Sequence, residues 1–168
     1  MSMVIRKLDS ILDSLPTEGR KAAVLRGVIY SIREAVDTSS KIVEKIRCVA
    51  EAKGYCRESL CNPSCARVYM IVDDDTARIL KHGGNAAGIE ISPTSLRAST
   101  KGAAIEVDSS GRVRLRIPGL EEEVDLNDQD STYRNIYTIR YVLKRVKRAI
   151  ENINQNLTLC AQRSAVTC

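Results

Sequence analysis

Four cysteines, Cys48, Cys56, Cys61 and Cys65, crowd into 18 residues at the spacing C-x7-C-x4-C-x3-C, and Cys160 and Cys168 follow near the end. Thiols grouped this way can ligate a metal or cluster, or pair as disulfides. Structural zinc sites use two knuckles of C-x2-C to C-x4-C, and ferredoxins have fixed spacings of their own; the gap after Cys48 fits neither. Disulfides among these four are the expectation, and a metal or iron–sulfur site or reduced structural thiols are the alternatives. Disulfides in a chain with no export signal point to a hyperthermophilic source. The Arg-heavy composition, with only three Gln, is compatible with that source.

Other chemistry is thin. His82 is the single histidine, and Trp and Phe are absent. A Ser-His-Asp triad or a His-ligated zinc would therefore rest on His82 alone. Asp73-Asp74-Asp75 follows an apolar run, where carboxylates can hold Mg²⁺. No second carboxylate, Lys or His is spaced to complete such a site, and a turn with an N-cap explains the triplet. Lys81-His82-Gly83-Gly84-Asn85 lacks the GxxxxGK[ST] arrangement, so a helix C-cap is expected there rather than a phosphate loop. No catalytic residue and no cofactor is assigned, and a non-enzymatic protein is expected.

The strongest signal is a basic, tyrosine-bearing segment. Tyr133, Tyr137 and Tyr141 recur every four residues among Arg134, Arg140, Lys144, Arg145, Lys147 and Arg148, with no acid between Ser131 and Ile150. On a helix these gather opposite a stripe of Ile136, Ile139, Val142, Leu143, Val146, Ile150, Ile153 and Leu157. Cations of this kind neutralise phosphates, and tyrosine rings and guanidiniums can meet sugars or bases. DNA or RNA binding, or nucleoprotein assembly, is the leading expectation. A protein–protein scaffold or homo-oligomer joined through the tyrosines comes second, and a metal-cluster protein third.

Charge distribution agrees with that ranking. Residues 1–53 carry 10 bases and 7 acids, residues 54–128 carry 9 and 12, and residues 129–168 carry 7 and 2, giving +3, −3 and +5. The surplus sits at the C-terminal end, where an acidic partner would dock. No apolar run approaches the roughly 18 residues of a membrane span, and acids interrupt the start, so a cytoplasmic protein with no membrane contact is expected.

The elements that position these residues follow from periodicity. Val4, Leu8, Ile11, Leu12 and Leu15 repeat at helical spacing until Pro16. Thr17 is the expected N-cap of a second helix reaching about Val36, and Asp37-Thr38-Ser39-Ser40 is a break or kink before a third stretch ending at Lys53-Gly54. Strands are expected around Val68–Val72, Ile89–Ile91, Ile105–Val107, Arg112–Ile117 and Glu121–Leu126, with one or two helical turns over Thr76–Lys81. Pro118-Gly119 as a two-residue turn sets Arg116 against Glu121, Arg114 against Glu123 and Arg112 against Asp125, a cross-strand ion-pair ladder. A final helix capped by Asp130 or Ser131 should reach about Asn156.

The expected fold class is α+β, with N-terminal helices and one long C-terminal helix in a bundle and a small antiparallel sheet as a lobe in the middle of the chain. The organisation is a single domain over 1–168. Its helical part covers 1–53 and 129–157, the cysteine loop and β-lobe 54–128, and the tail 158–168.

Overall fold

Helix α1 (Ser2–Ser14) and the 34-residue α2 (Arg20–Lys53) place their apolar repeats inward, with Leu8, Leu25, Ile29, Ile32 and Ile42 fully buried. The structure, a computed structural model, describes residues 2–53, 68–73, 76–81 and 87–163, with side chains for 3–45, 76–81, 87–159 and 162. Gly19, not Thr17, precedes the first turn of α2, and its carbonyl accepts from the Ala23 N–H at 3.1 Å. The Asp37–Ser40 cluster does not break α2. Ser39 and Ser40 donate to the carbonyls of Ala35 and Val36 at 2.8 and 3.1 Å, so both hydroxyls are satisfied within the helix.

Seven six-residue strands follow: β1 (Val68–Asp73), β2 (Thr76–Lys81), β3 (Ala87–Ser92), β4 (Ser95–Thr100), β5 (Ala103–Asp108), β6 (Arg112–Ile117) and β7 (Leu120–Asp125). Each pairs antiparallel with the next, so the sheet is a meander in chain order. Thr76–Lys81 is a strand, not a helical turn. Ala77 and Ile79 bury their side chains while Arg78 between them is exposed, the period of two that a sheet with one covered face demands. β4 was not expected from the sequence, and it carries only Leu96 and Ala98 into the core.

The β6–β7 register is as the turn dictated, from Arg112↔Asp125 to Ile117↔Leu120. Gly119 takes φ +77, the positive value a type II turn asks of its third residue. The ladder itself is rearranged: Glu123 meets both Arg112 (3.3 Å) and Arg114 (3.9 Å), whereas Asp125 accepts from the Asn127 side chain and backbone. Gly111, at φ +88, closes the β5–β6 turn where a Cβ would come within 2.9 Å of Asn127 Nδ2.

Asp128, not Asp130 or Ser131, caps α3 (Gln129–Arg134), its side chain accepting from the Ser131 N–H. Asn135 separates α3 from the 28-residue α4 (Ile136–Arg163), which passes the expected end at Asn156 and takes in part of the expected tail. α4 lies across β3 to β6 and against α2. Lys21 pairs with Asp130, Lys147 with Glu34 and Ser31, and Lys45 with Asn154 and Thr158, so α2 and α4 run parallel along their length. The expected stripe from Ile136 to Leu157 is buried, and it joins the sheet and the N-terminal helices in one core. The expected α+β fold is therefore present, with the helices laid on one face of a seven-stranded antiparallel sheet in the middle of the chain.

The turns also set an acid limit. Burial opposes ionisation of Asp108, but hydrogen bonds from the Ser110 hydroxyl and the N–H groups of Arg112 and Ser110 outweigh it and hold its carboxyl below the ordinary value. Asn127 does the same for Asp125 through side-chain and backbone bonds, and the Lys21 hydrogen bond does so for Asp130. A carboxyl depressed in the folded state stabilises above its unfolded pKa, and that stabilisation is lost as pH falls through the folded value. The melting temperature should hold between pH ~7 and ~5 and drop below about 4. Asp108→Asn with Asp125→Asn should melt lower at neutral pH and lose less on acidification, as differential scanning calorimetry across pH would show.

Candidate nucleic-acid interface

One flank of α4 is committed to the sheet and one to α2, which leaves a third stripe outward. Placed at about 100° per residue, Tyr137, Lys144 and Arg148 share its centre, with Tyr141 and Arg140 beside them. Tyr137 is 82% exposed, Tyr141 46% and Tyr133, on α3, 40%. Arg134, Arg140, Lys144, Arg145 and Arg148 are exposed as well. None of the five lies within ion-pair distance of a carboxylate among the described residues, whereas Lys21, Arg33, Lys41, Arg78, Arg112, Arg114 and Lys147 do.

Lys147 is the departure from the expected set. Its ammonium donates to Glu34 Oε2 at 2.9 Å and to Ser31 Oγ at 3.0 Å, and its side chain is only 28% exposed. It ties α4 to α2 and does not belong to the outward stripe. The cause is angular: Lys147 sits about 80° from the Tyr137 direction, on the side that faces α2. Arg145 sits about as far to the other side. Its guanidinium lies 4.7 Å from the Tyr141 ring centroid and beside the β4–β5 turn at Gly102.

The three rings differ in what they can offer. Lys21 stands 5.6 Å over the Tyr133 ring and Arg145 stands over that of Tyr141, so each already carries a cation. Tyr137 has no such contact among the described residues. Its ring is the open platform of the stripe, with Arg140, Lys144 and Arg148 arranged along the same side. Sequence periodicity could place these residues on a face, but not say which neighbour would occupy each ring.

The side chains on which the cysteine expectations rest lie outside the described residues. Cys48 and Cys160 have helical backbone in α2 and α4, but their side chains, and Cys56, Cys61, Cys65 and Cys168 altogether, fall outside the described residues. The same holds for Asp74, Asp75 and His82. Among the described residues, no group of three or more His, Cys, Asp and Glu could hold a metal ion, and no helix is long and apolar enough to cross a membrane. No protein-family model, curated protein or solved structure matches this chain, so the meaning of the α4 surface rests on its own residues.

Proposed function

We propose that the protein binds nucleic acid, or assembles nucleoprotein, without catalysis, through the outward stripe of α3 and α4. The observation that carries this reading is a cluster: Arg134, Arg140, Lys144, Arg145 and Arg148 stand exposed together, none within ion-pair distance of a carboxylate among the described residues, beside three partly open tyrosines. Leaving five like charges adjacent costs self-repulsion, which a polyanion relieves. The stretch from Arg134 to Arg148 is about 20 Å long, roughly six nucleotides of one strand.

Counterion release turns this into a number. If all five cations meet phosphates of a duplex, log K should fall against log salt with a slope of about −4 to −5, a loss of roughly 250- to 1,000-fold between 50 and 200 mM salt. Fluorescence anisotropy with labelled duplex and single-stranded oligonucleotides across that range measures it. Absence of binding at the low end, or affinity indifferent to salt, would refute the proposal. Salt-indifferent self-association lost on Tyr137→Ala would instead favour a scaffold joined through the tyrosines.

A further inference from the structure

Among the described residues nothing covers the face of the sheet turned away from α4, and that face carries a row of charges that alternates strand by strand. Register pairs Arg78 of β2 with Glu90 of β3, Glu90 with Arg97 of β4, Arg97 with Glu106 of β5, Glu106 with Arg114 of β6, and Arg114 with Glu123 of β7. The sequence of signs is + − + − + −, which inverts when read from the other end. A row with that property is complementary to itself. Rotating a second copy by 180° about an axis parallel to the strands, between β4 and β5, sets every arginine of one row against a glutamate of the other.

We infer that this outer sheet face is a two-fold, face-to-face interface with a second copy of the chain. In that arrangement Arg97 meets the partner's Glu106, Glu90 meets the partner's Arg114, and Arg78 meets the partner's Glu123, each pair occurring twice as an isologous contact requires. The neighbouring row supports the fit. It runs Leu80, Gly88, Ser99, Ala104, Arg116 and Glu121 across the same strands. Gly88 floors a hollow of about 130 Å³ that Glu90 and Arg97 also line. The rotation brings the partner's Arg116 over this hollow. A Cβ at position 88 would lie 3.3 Å from Ser99 Oγ and 3.4 Å from Leu80 Cδ2, so glycine keeps the hollow open.

Size permits such a contact. Six strands spaced about 4.8 Å apart and six residues long present a face of roughly 30 by 20 Å, close to the ~800 Å² per partner of a standard interface once side-chain relief is added. Sheet twist turns stacked sheets by about 30°, so pairs near the axis stay opposed and outer ones diverge. The four central residues, Glu90, Arg97, Glu106 and Arg114, therefore dominate. Since this face lies opposite the α4 stripe, the inference stands apart from the proposed function.

The test uses two full-length variants. Arg97→Glu with Arg114→Glu makes the centre of the row all acidic, and Glu90→Arg with Glu106→Arg makes it all basic. Sedimentation equilibrium should find the wild type dimeric at ~0.05 M salt and weakened at ~1 M, where the screening length is about 3 Å. Each variant alone opposes like charges and should dimerise at least about 100-fold more weakly. Mixed in equal amounts, all six facing pairs regain opposite sign, and a heterodimer within about tenfold of wild-type affinity should form. Circular dichroism of each variant reports folding, and rescue on mixing itself requires folded chains. A wild type that stays monomeric at low salt up to its solubility limit overturns the inference. So do variants that dimerise like wild type, or folded variants that stay monomeric when mixed.

Discussion

Replacing Arg140, Lys144 and Arg148 by glutamate is expected to weaken nucleic-acid binding at least about 1,000-fold while leaving the melting temperature within a few degrees of wild type. All three side chains are exposed and pair with no carboxylate among the described residues, so their removal breaks no ion pair of the fold there. A hydrogen bond to a charged group contributes about 1.5 kcal/mol or more, and losing three of them is about 4.5 kcal/mol before the repulsion of three new carboxylates is counted. Lys147→Ala is the internal control, because it removes a cation from the same helix at a position turned towards α2. It should leave affinity nearly unchanged and lower stability by up to about 1 kcal/mol, the range of a partly exposed ion pair. Titration of both variants with one oligonucleotide separates the cases. If Lys147→Ala costs as much affinity as Lys144→Ala, or the triple variant binds like wild type, the outward stripe is not the footprint.

Lys147 also marks where sequence reasoning reached its limit. Helical periodicity is a local property, and it placed the stripe from Ile136 to Leu157 in the core and the tyrosines away from it. Whether a cation at the border of a helix face meets solvent or a neighbour depends on what packs beside it. Glu34 is 113 residues earlier in the chain, and only the parallel run of α2 and α4 brings it to Lys147. The β5–β7 meander was readable for a related reason. Alternating apolar residues and a Pro-Gly turn encode register locally, and the pairs from Arg112↔Asp125 to Ile117↔Leu120 followed.

β2 and β4 failed the same reading because their local signals are weak or contrary. Ala77, Leu80 and Lys81 are good helix formers, and what makes Thr76–Lys81 a strand is pairing on both sides, with β1 and with β3. Ser95–Thr100 offers only Leu96 and Ala98 as apolar positions, too few for an alternation to stand out. Its place between β3 and β5 supplies the rest. The alternating charge row was hidden in consequence, since two of its six members, Arg78 and Arg97, lie on those two strands. Asp37–Ser40 erred in the other direction. Four residues that favour caps sit inside α2, because Ser39 and Ser40 turn their hydroxyls back onto the helix and the apolar stripe continues through Ile42 and Val43.

Tyr137 and Ile139 are two residues apart on α4 and are expected to give opposite results when each is cut to alanine. Ile139 is fully buried in the common core, where α4 is packed between α2 and the sheet. Ile139→Ala removes buried carbon and leaves a cavity, at a cost of about 2–5 kcal/mol. The melting temperature should fall by roughly 2–4 °C for each kcal/mol in a chain of this size. Tyr137 is 82% exposed and its ring carries no cation among the described residues, so Tyr137→Ala removes no core contact and should leave the melting temperature nearly unchanged. Its cost should appear in binding instead. Loss of one stacked base is worth about 1–3 kcal/mol, roughly 5- to 150-fold in affinity. Tyr137→Phe keeps the ring face and should retain most of the binding, which distinguishes stacking from a hydrogen bond through the hydroxyl. Tyr141→Ala should cost less than Tyr137→Ala, because Arg145 already occupies the Tyr141 ring. Calorimetry and oligonucleotide titration on the same samples place each variant. Equal loss of affinity for Tyr137→Phe and Tyr137→Ala would rule out the stacking role, and a lower melting temperature for Tyr137→Ala would show that the ring supports the fold.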